Sequence, residues 1–176
     1  GVFWIGGYDI MSNSEETTKR EIIRYNDIPH KYPQSIFNKK GYIIRTQKNF
    51  VKVSLISLSM LSNETFNPNE IKILFSMLKY IRLDKICSGV LTENGIPINK
   101  NRLMELMRDP VKNTLPNINT FDANIERLED KELIKRVRYH NGIIYYVNPF
   151  VFMNGEQIEP YTFALFYQSK LNVYGD

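Results

Sequence analysis

A chain of 176 residues that is 43% hydrophobic, with a formal net charge of +4, can bury one core with little left for a second. The mildly basic balance permits a polyanionic partner without requiring one, and a single cysteine, Cys87, excludes an internal disulfide framework and fits a reducing cytoplasm. No apolar run approaches the roughly 20 residues of a spanning helix, so no membrane partner is expected.

The opening "GVFWIGGYDI" is apolar but lacks the basic flank and cleavage signature of a secretory signal. Met11 is a candidate start, on which reading residues 1–10 are an artificial extension or an upstream reading frame. From 12 to about 40 the chain is polar and broken by Pro29 and Pro33, a composition that favours an arm over a packed element. The expected organisation is an N-terminal extension or arm over 1–40 and one folded domain over 41–176.

Order begins near Gly41. "GYIIRTQKNFVKVSLISL" carries two β-rich runs around a polar turn at 46–49, with Phe50, Val51, Val53 and Leu55 as strand or core residues. Next, "NPNEIKILFSMLKYI" opens on the start signal Asn67-Pro68 and spaces Ile71, Leu74, Phe75, Leu78 and Ile81 as a helix laid on a core requires. A loop with Asn94-Gly95 and Pro97 leads to "INKNRLMELMRD", a short helix with Leu103, Leu106 and Met107 inward, stopped by Pro110. A third helix begins near 114–116, with Pro116 in its first turn and Ile118, Phe121, Ile125 and Leu128 as its apolar stripe. "LIKRVRYHNGIIYYVNP" then reads as a β-hairpin turning on Asn141-Gly142. Pro149 ends its second strand, and Asn148 can bond the local backbone. Finally, "EPYTFALFYQSKL" is a C-terminal helix with Phe163, Phe166 and Tyr167 on one side, which packs on its own domain or against a second copy.

Helix, helix, helix and hairpin in this order outline an α+β fold: a winged helix-turn-helix with N-terminal strands or arm and an additional C-terminal helix. Such a unit works by geometry, its third helix entering a major groove while the wing lies on phosphate. With the apolar stripe turned in, Asn117, Asn119, Thr120 and Asn124 face outward near the helix start, where Asn can pair with adenine and a Thr methyl can meet thymine. The ordinary alternative for each is capping or a solvated face. Asp122, Glu126, Glu129, Asp130 and Glu132 make the far end of that helix acidic, so positive charge for phosphate must come from elsewhere. The candidates are Lys112, Arg127, the wing residues Lys135, Arg136, Arg138 and His140, and Lys100 and Arg102 at the start of the second helix.

"NFVKVSLISLSML", the "LEDKELIKR" junction into the hairpin and "YVNPFVFMNG" after it resemble the RepL-type plasmid replication initiators of Gram-positive bacteria and their phage- and plasmid-encoded winged-helix relatives. The resemblance spans about 49–166 and is also close to the broader MarR-like regulator pattern. It implies binding to double-stranded DNA at an origin or operator, in the cytoplasm of a bacterial host, as initiator or transcriptional regulator. The chain departs from the pattern in its long "RDPVKNTLPN" connection, where a helix-turn-helix has a tight turn. A homodimer is expected, since a two-fold protein mirrors a palindromic site, with the C-terminal helix as one route to it.

Catalysis is not expected. His30 and His140 are the only histidines and lie far apart, too few with one cysteine for a tetrahedral metal set. No phosphate loop, dinucleotide fingerprint or nucleophile elbow occurs, and no cofactor is implied. The rival to a DNA binder is a winged-helix protein-interaction module that uses the C-terminal aromatic helix or the acidic end of the third helix.

Overall fold

The computed structural model describes residues 39–40 and 50–172. Nearly all of these lie in the second of two compact units, residues 1–47 and 48–176. Apart from a turn at Lys39 and Lys40, the expected arm over 1–40, the candidate start Met11 and the first β-rich run lie outside the described residues.

The described chain runs β1 (Lys52–Val53), α1 (Leu55–Leu61), α2 (Pro68–Leu78), β2 (Ile86–Cys87), β3 (Thr92–Glu93), β4 (Ile96–Pro97), α3 (Lys100–Leu106), α4 (Ile118–Asp130), β5 (Ile134–Tyr139), β6 (Gly142–Val147), β7 (Phe152–Met153), β8 (Gln157–Ile158) and α5 (Pro160–Phe166). This is an α+β arrangement of helices with small two-stranded sheets: β1 with β7, β3 with β4 and β5 with β6 antiparallel, and β2 with β8 parallel. No helix among the described residues is long and apolar enough to cross a membrane.

α1 stands where a strand was expected to continue through Leu55. Ser54 turns the chain: its N–H donates to the Val151 carbonyl at 3.0 Å, and its Oγ caps the Ser57 N–H at 3.3 Å. The run "LISLSML" fits either period, so the serine cap decides. The helix buries only Ser57 and Leu61, and the Ser57 Oγ donates to the Phe150 carbonyl at 3.1 Å. Phe50 and Val53 lie on the surface, while Val51 packs against the core.

α2 begins as expected, with the Asn67 Oδ1 accepting from the Glu70 N–H at 2.7 Å and Pro68 in the first turn. Its buried face is Glu70, Ile73, Leu74 and Met77, so the helix is rotated from the expected stripe and Ile71 and Phe75 are exposed. The cause is Glu70, whose carboxylate is drawn inward to Lys131 Nζ at 2.7 Å and to Asn67 Nδ2 at 3.0 Å. Asn67 Nδ2 also reaches Asn124 Oδ1 at 3.0 Å, and Asn124 Nδ2 donates to the Thr120 carbonyl at 2.9 Å. This polar chain pins α2 to α4. Around it Ile73, Met77, Leu103, Phe121, Ile125 and Leu128 form the core with Leu133, Ile134, Tyr145 and Val147.

The segment after β2 joins the hairpin β5–β6. Val90 bridges Tyr146 in antiparallel sense, the Leu91 N–H donates to the Tyr145 carbonyl at 3.1 Å, and the Val147 N–H donates to the Gly89 carbonyl at 2.8 Å. Gly89 has φ +68°, and a Cβ there would sit 2.6 Å from the Val147 carbonyl oxygen, so glycine is required for this approach. Cys87 is buried, which pushes its thiol pKa up.

The ion pair between Glu70 and Lys131 is almost wholly desolvated, its side chains 3% and 13% exposed. Lys131→Met is expected to lower unfolding free energy by about 3 kcal/mol in urea titration, because it strands the carboxylate. Combining it with Glu70→Gln should cost clearly less than the sum of the single changes.

Candidate nucleic-acid interface

α4 starts one turn later than expected. Asn117 is its N-cap, accepting at Oδ1 from the Asn119 and Thr120 N–H groups at 3.0 and 3.2 Å, and Pro116 precedes it. The helix ends in a Schellman arrangement: the Leu133 N–H donates to the Leu128 carbonyl at 3.0 Å and the Glu132 N–H to the Glu129 carbonyl at 2.8 Å. Glu132 carries the left-handed φ of +61° that glycine usually supplies. It is held by its carboxylate, which accepts from the Lys170 N–H at 2.9 Å and the Ser169 Oγ at 3.3 Å, and by its carbonyl, which accepts from Asn148 Nδ2 at 2.8 Å.

The hairpin leaves this cap with a defined facing. Ile134 opposite Val147, Arg136 opposite Tyr145 and Arg138 opposite Ile143 share one face. Lys135 opposite Tyr146 and Val137 opposite Ile144 share the other. The two residues of the turn are His140 and Asn141, one position before the expected Asn141-Gly142 corner. Gly142 opens β6 opposite Tyr139 with φ +134°, so the unusual backbone falls on the strand's first residue.

Several expected readers and phosphate contacts are engaged by other groups of the same chain. Among the readers, Asn124 is buried in the link to α2, and the Asn117 side chain is committed to capping. Asn119 and Thr120 are exposed, and so is Ile118, which was expected to point inward but precedes the first buried position at Phe121. Among the cations, Lys100 pairs with Asp122 at 2.6 Å, and Arg102 clasps Glu93 at 2.7 and 2.8 Å. Arg136 pairs with Glu129 of α4 through its Nε, with a second contact from Nη2 at 3.3 Å. Lys135 lies on the opposite face, where its Nζ donates to the Leu165 carbonyl at the end of α5 at 2.6 Å and sits over the Phe166 ring. α5 thereby packs on its own hairpin, with Phe166 buried and Phe163 edge-on to Phe150.

Lys112, Arg127, Arg138 and His140 remain exposed, without a carboxylate partner among the described residues. Arg127 makes one long contact, Nη1 to Asn124 Oδ1 at 3.5 Å. Of the acidic residues on α4, Asp122 and Glu129 are neutralised by their pairs, leaving Glu126 and Asp130 exposed.

The long connection before α4 is ordered by Asp109. Its carboxylate accepts from the Val111 and Lys112 N–H groups at 2.8 and 2.9 Å, its N–H donates to the Thr114 carbonyl at 2.9 Å, and Arg108 Nη1 holds the Asn113 carbonyl at 2.9 Å. Those backbone donors hold the Asp109 carboxyl below the usual aspartate range. The loop and the start of α4 enclose a cleft of about 270 Å³ that brings Lys112 and Lys72 beside Asp109, Asn117 and Thr120. Lys72 was not expected here. Its only sequence signal is a place on the polar side of α2, one turn after Asn69.

Among the described residues no group of His, Cys, Asp and Glu could hold a metal ion. No protein-family model, curated protein or solved structure matches the chain. The likeness to RepL-type initiators rests on the motifs quoted above alone.

Two outcomes follow from the geometry. Asn124→Ala should lower stability by about 1 to 3 kcal/mol in denaturant, since it leaves Asn67 short of a partner, and should leave any DNA sequence preference unchanged. The folded-state pKa of Asp109 is depressed, so its clamp contributes fully above the unfolded value and is lost as pH falls through the folded one. Amide exchange at Val111 and Lys112 should therefore quicken, relative to intrinsic rates, on acidification below about pH 4. Asp109→Asn should abolish that pH dependence.

Proposed function

We propose that residues 50–172 form a winged-helix domain that binds double-stranded DNA, acting without catalysis as a replication initiator or transcriptional regulator of a plasmid or phage in a bacterial cytoplasm. The order α2, bridging segment Gly89–Leu91, α3, α4 and hairpin supports this reading, with the bridging segment as the third strand of the wing sheet. The observation that carries it is the division of the cations. Lys100 and Arg136 are half-buried and ion-paired, Lys135 caps α5 and Arg102 is held in a surface pair with Glu93, whereas Arg138 and His140 on the hairpin, Arg127 on α4 and Lys112 beside its start are exposed with no carboxylate partner among the described residues.

In this reading the first turn of α4 enters the major groove, and base contacts fall to Asn119 and Thr120, with Ile118 available to a thymine methyl. Lys112 and Lys72 meet one backbone, Arg138 and His140 the other. Arg136 acts indirectly: by neutralising Glu129 it removes a carboxylate that would otherwise repel phosphate. The exposed Glu126 and Asp130 confine close approach to the helix's first half.

The test is a salt series of binding to duplex DNA carrying the candidate origin or operator. Arg138→Ala is expected to weaken all duplexes and reduce the slope of log K against log salt by about 0.9, the value for one phosphate contact. Thr120→Ala should instead change the preferred sequence, by roughly 1 to 3 kcal/mol at one base pair. Absence of salt-dependent binding to any duplex would favour the protein-interaction module.

A further inference from the structure

α1 is a helix turned inside out. Of its seven residues only Ser57 and Leu61 are buried, while Leu55 is 81%, Ile56 60%, Leu58 46% and Met60 38% exposed. Val53 just before it is exposed as well. Leaving four large apolar side chains in water on one short helix is costly, and clustered exposure of this kind marks an interaction surface. The helix is nevertheless firmly seated, by the Ser54 cap and the bond from Ser57 to the Phe150 carbonyl, so it presents the apolar residues on a fixed platform.

We propose that this face is covered by a second copy of the chain, with the two α1 helices packed antiparallel across a two-fold axis. Charge is the argument for that occupant. From Val53 to Asn63 there is no charged residue, so the patch can face itself without like-charge repulsion. Lys52 lies just ahead of this uncharged stretch and Glu64 just behind it. An antiparallel pair sets the Lys52 end of one helix against the Glu64 end of the other, whereas a parallel pair would align like charges. Both groups already have partners in their own chain, Lys52 Nζ with the Gly155 carbonyl at 3.1 Å and Glu64 with Lys170 at 3.1 Å, and act as a polar rim. A lipid surface fits poorly, since α1 has no basic residue to meet headgroups. α5 does not compete for this role, because it spends Phe163 and Phe166 on its own hairpin.

The inference does not depend on DNA binding, and its test contains no DNA. Sedimentation of the full chain over a dilution series should show a monomer–dimer equilibrium. Leu55→Asp with Ile56→Asp should weaken it roughly tenfold or more, because each carboxylate would be stranded in the apolar centre of the interface. Thermal unfolding followed by circular dichroism confirms that the variant folds, and the two positions, being exposed, should tolerate the change in the monomer. Val111→Asp alters an apolar residue that is 90% exposed elsewhere on the domain and should leave the equilibrium unchanged. A chain that stays monomeric at every concentration, a dimer indifferent to the α1 variant, equal loss with Val111→Asp, or binding to anionic vesicles in place of self-association would each overturn the proposal.

Discussion

Glu70 carries a negative charge into a position that the apolar pattern of α2 would assign to a hydrophobic residue. A carboxylate cannot remain there unpaired, because its desolvation would exceed most single stabilising contacts. Lys131 from the end of α4 and Asn67 from the start of α2 meet it, and Asn124 extends the chain of bonds to the middle of α4. Such a network contributes less to net stability than to uniqueness, since two helices that share it have one permitted rotation and one permitted offset. The rotation of α2 exposes Ile71 and Phe75. The offset of α4 carries Asn124 inward and leaves Asn119 and Thr120 outward.

The same logic sorts the basic residues. A modest positive balance conceals an extensive set of internal pairs, and the charges left over are the ones that define the surface. Net charge by itself would have credited Lys100, Arg102, Lys135 and Arg136 to a partner. The geometry assigns them to Asp122, Glu93, the end of α5 and Glu129.

Much of the element order is legible in the sequence because the signals are local. Asn67-Pro68 announces α2, Pro160 announces α5, and alternation from Ile134 to Val147 announces the hairpin. What is not legible depends on residues far apart in the chain. The inward turn of Glu70 is decided by a lysine 61 positions away, and the fate of Lys135 by a carbonyl 30 positions away. α1 is hidden in the sequence for a different reason: its apolar residues satisfy both the strand and the helix period, and a serine cap settles the matter. The capping role of Asn117 is the ordinary alternative that the sequence offers, since a lone Asn ahead of a helical pattern is a start signal before it is anything else. The pairing of Gly89–Leu91 with β6 has no local signature beyond the glycine.

The left-handed Glu132 gives the passage from α4 to β5 a property of its own. Only the residues from Lys131 to Leu133 separate a helix whose facing is set by Glu70 from a strand whose side chains alternate. Because that alternation has a period of two, inserting a single residue here would exchange the two faces of the first strand. Arg138 would turn toward α5, and Val137 would take its place over α4. The hairpin could remain a hairpin, yet its charge would lie on the wrong side. The length of this three-residue joint therefore works as a phase setting, converting the helix's orientation into the polarity of the sheet surface.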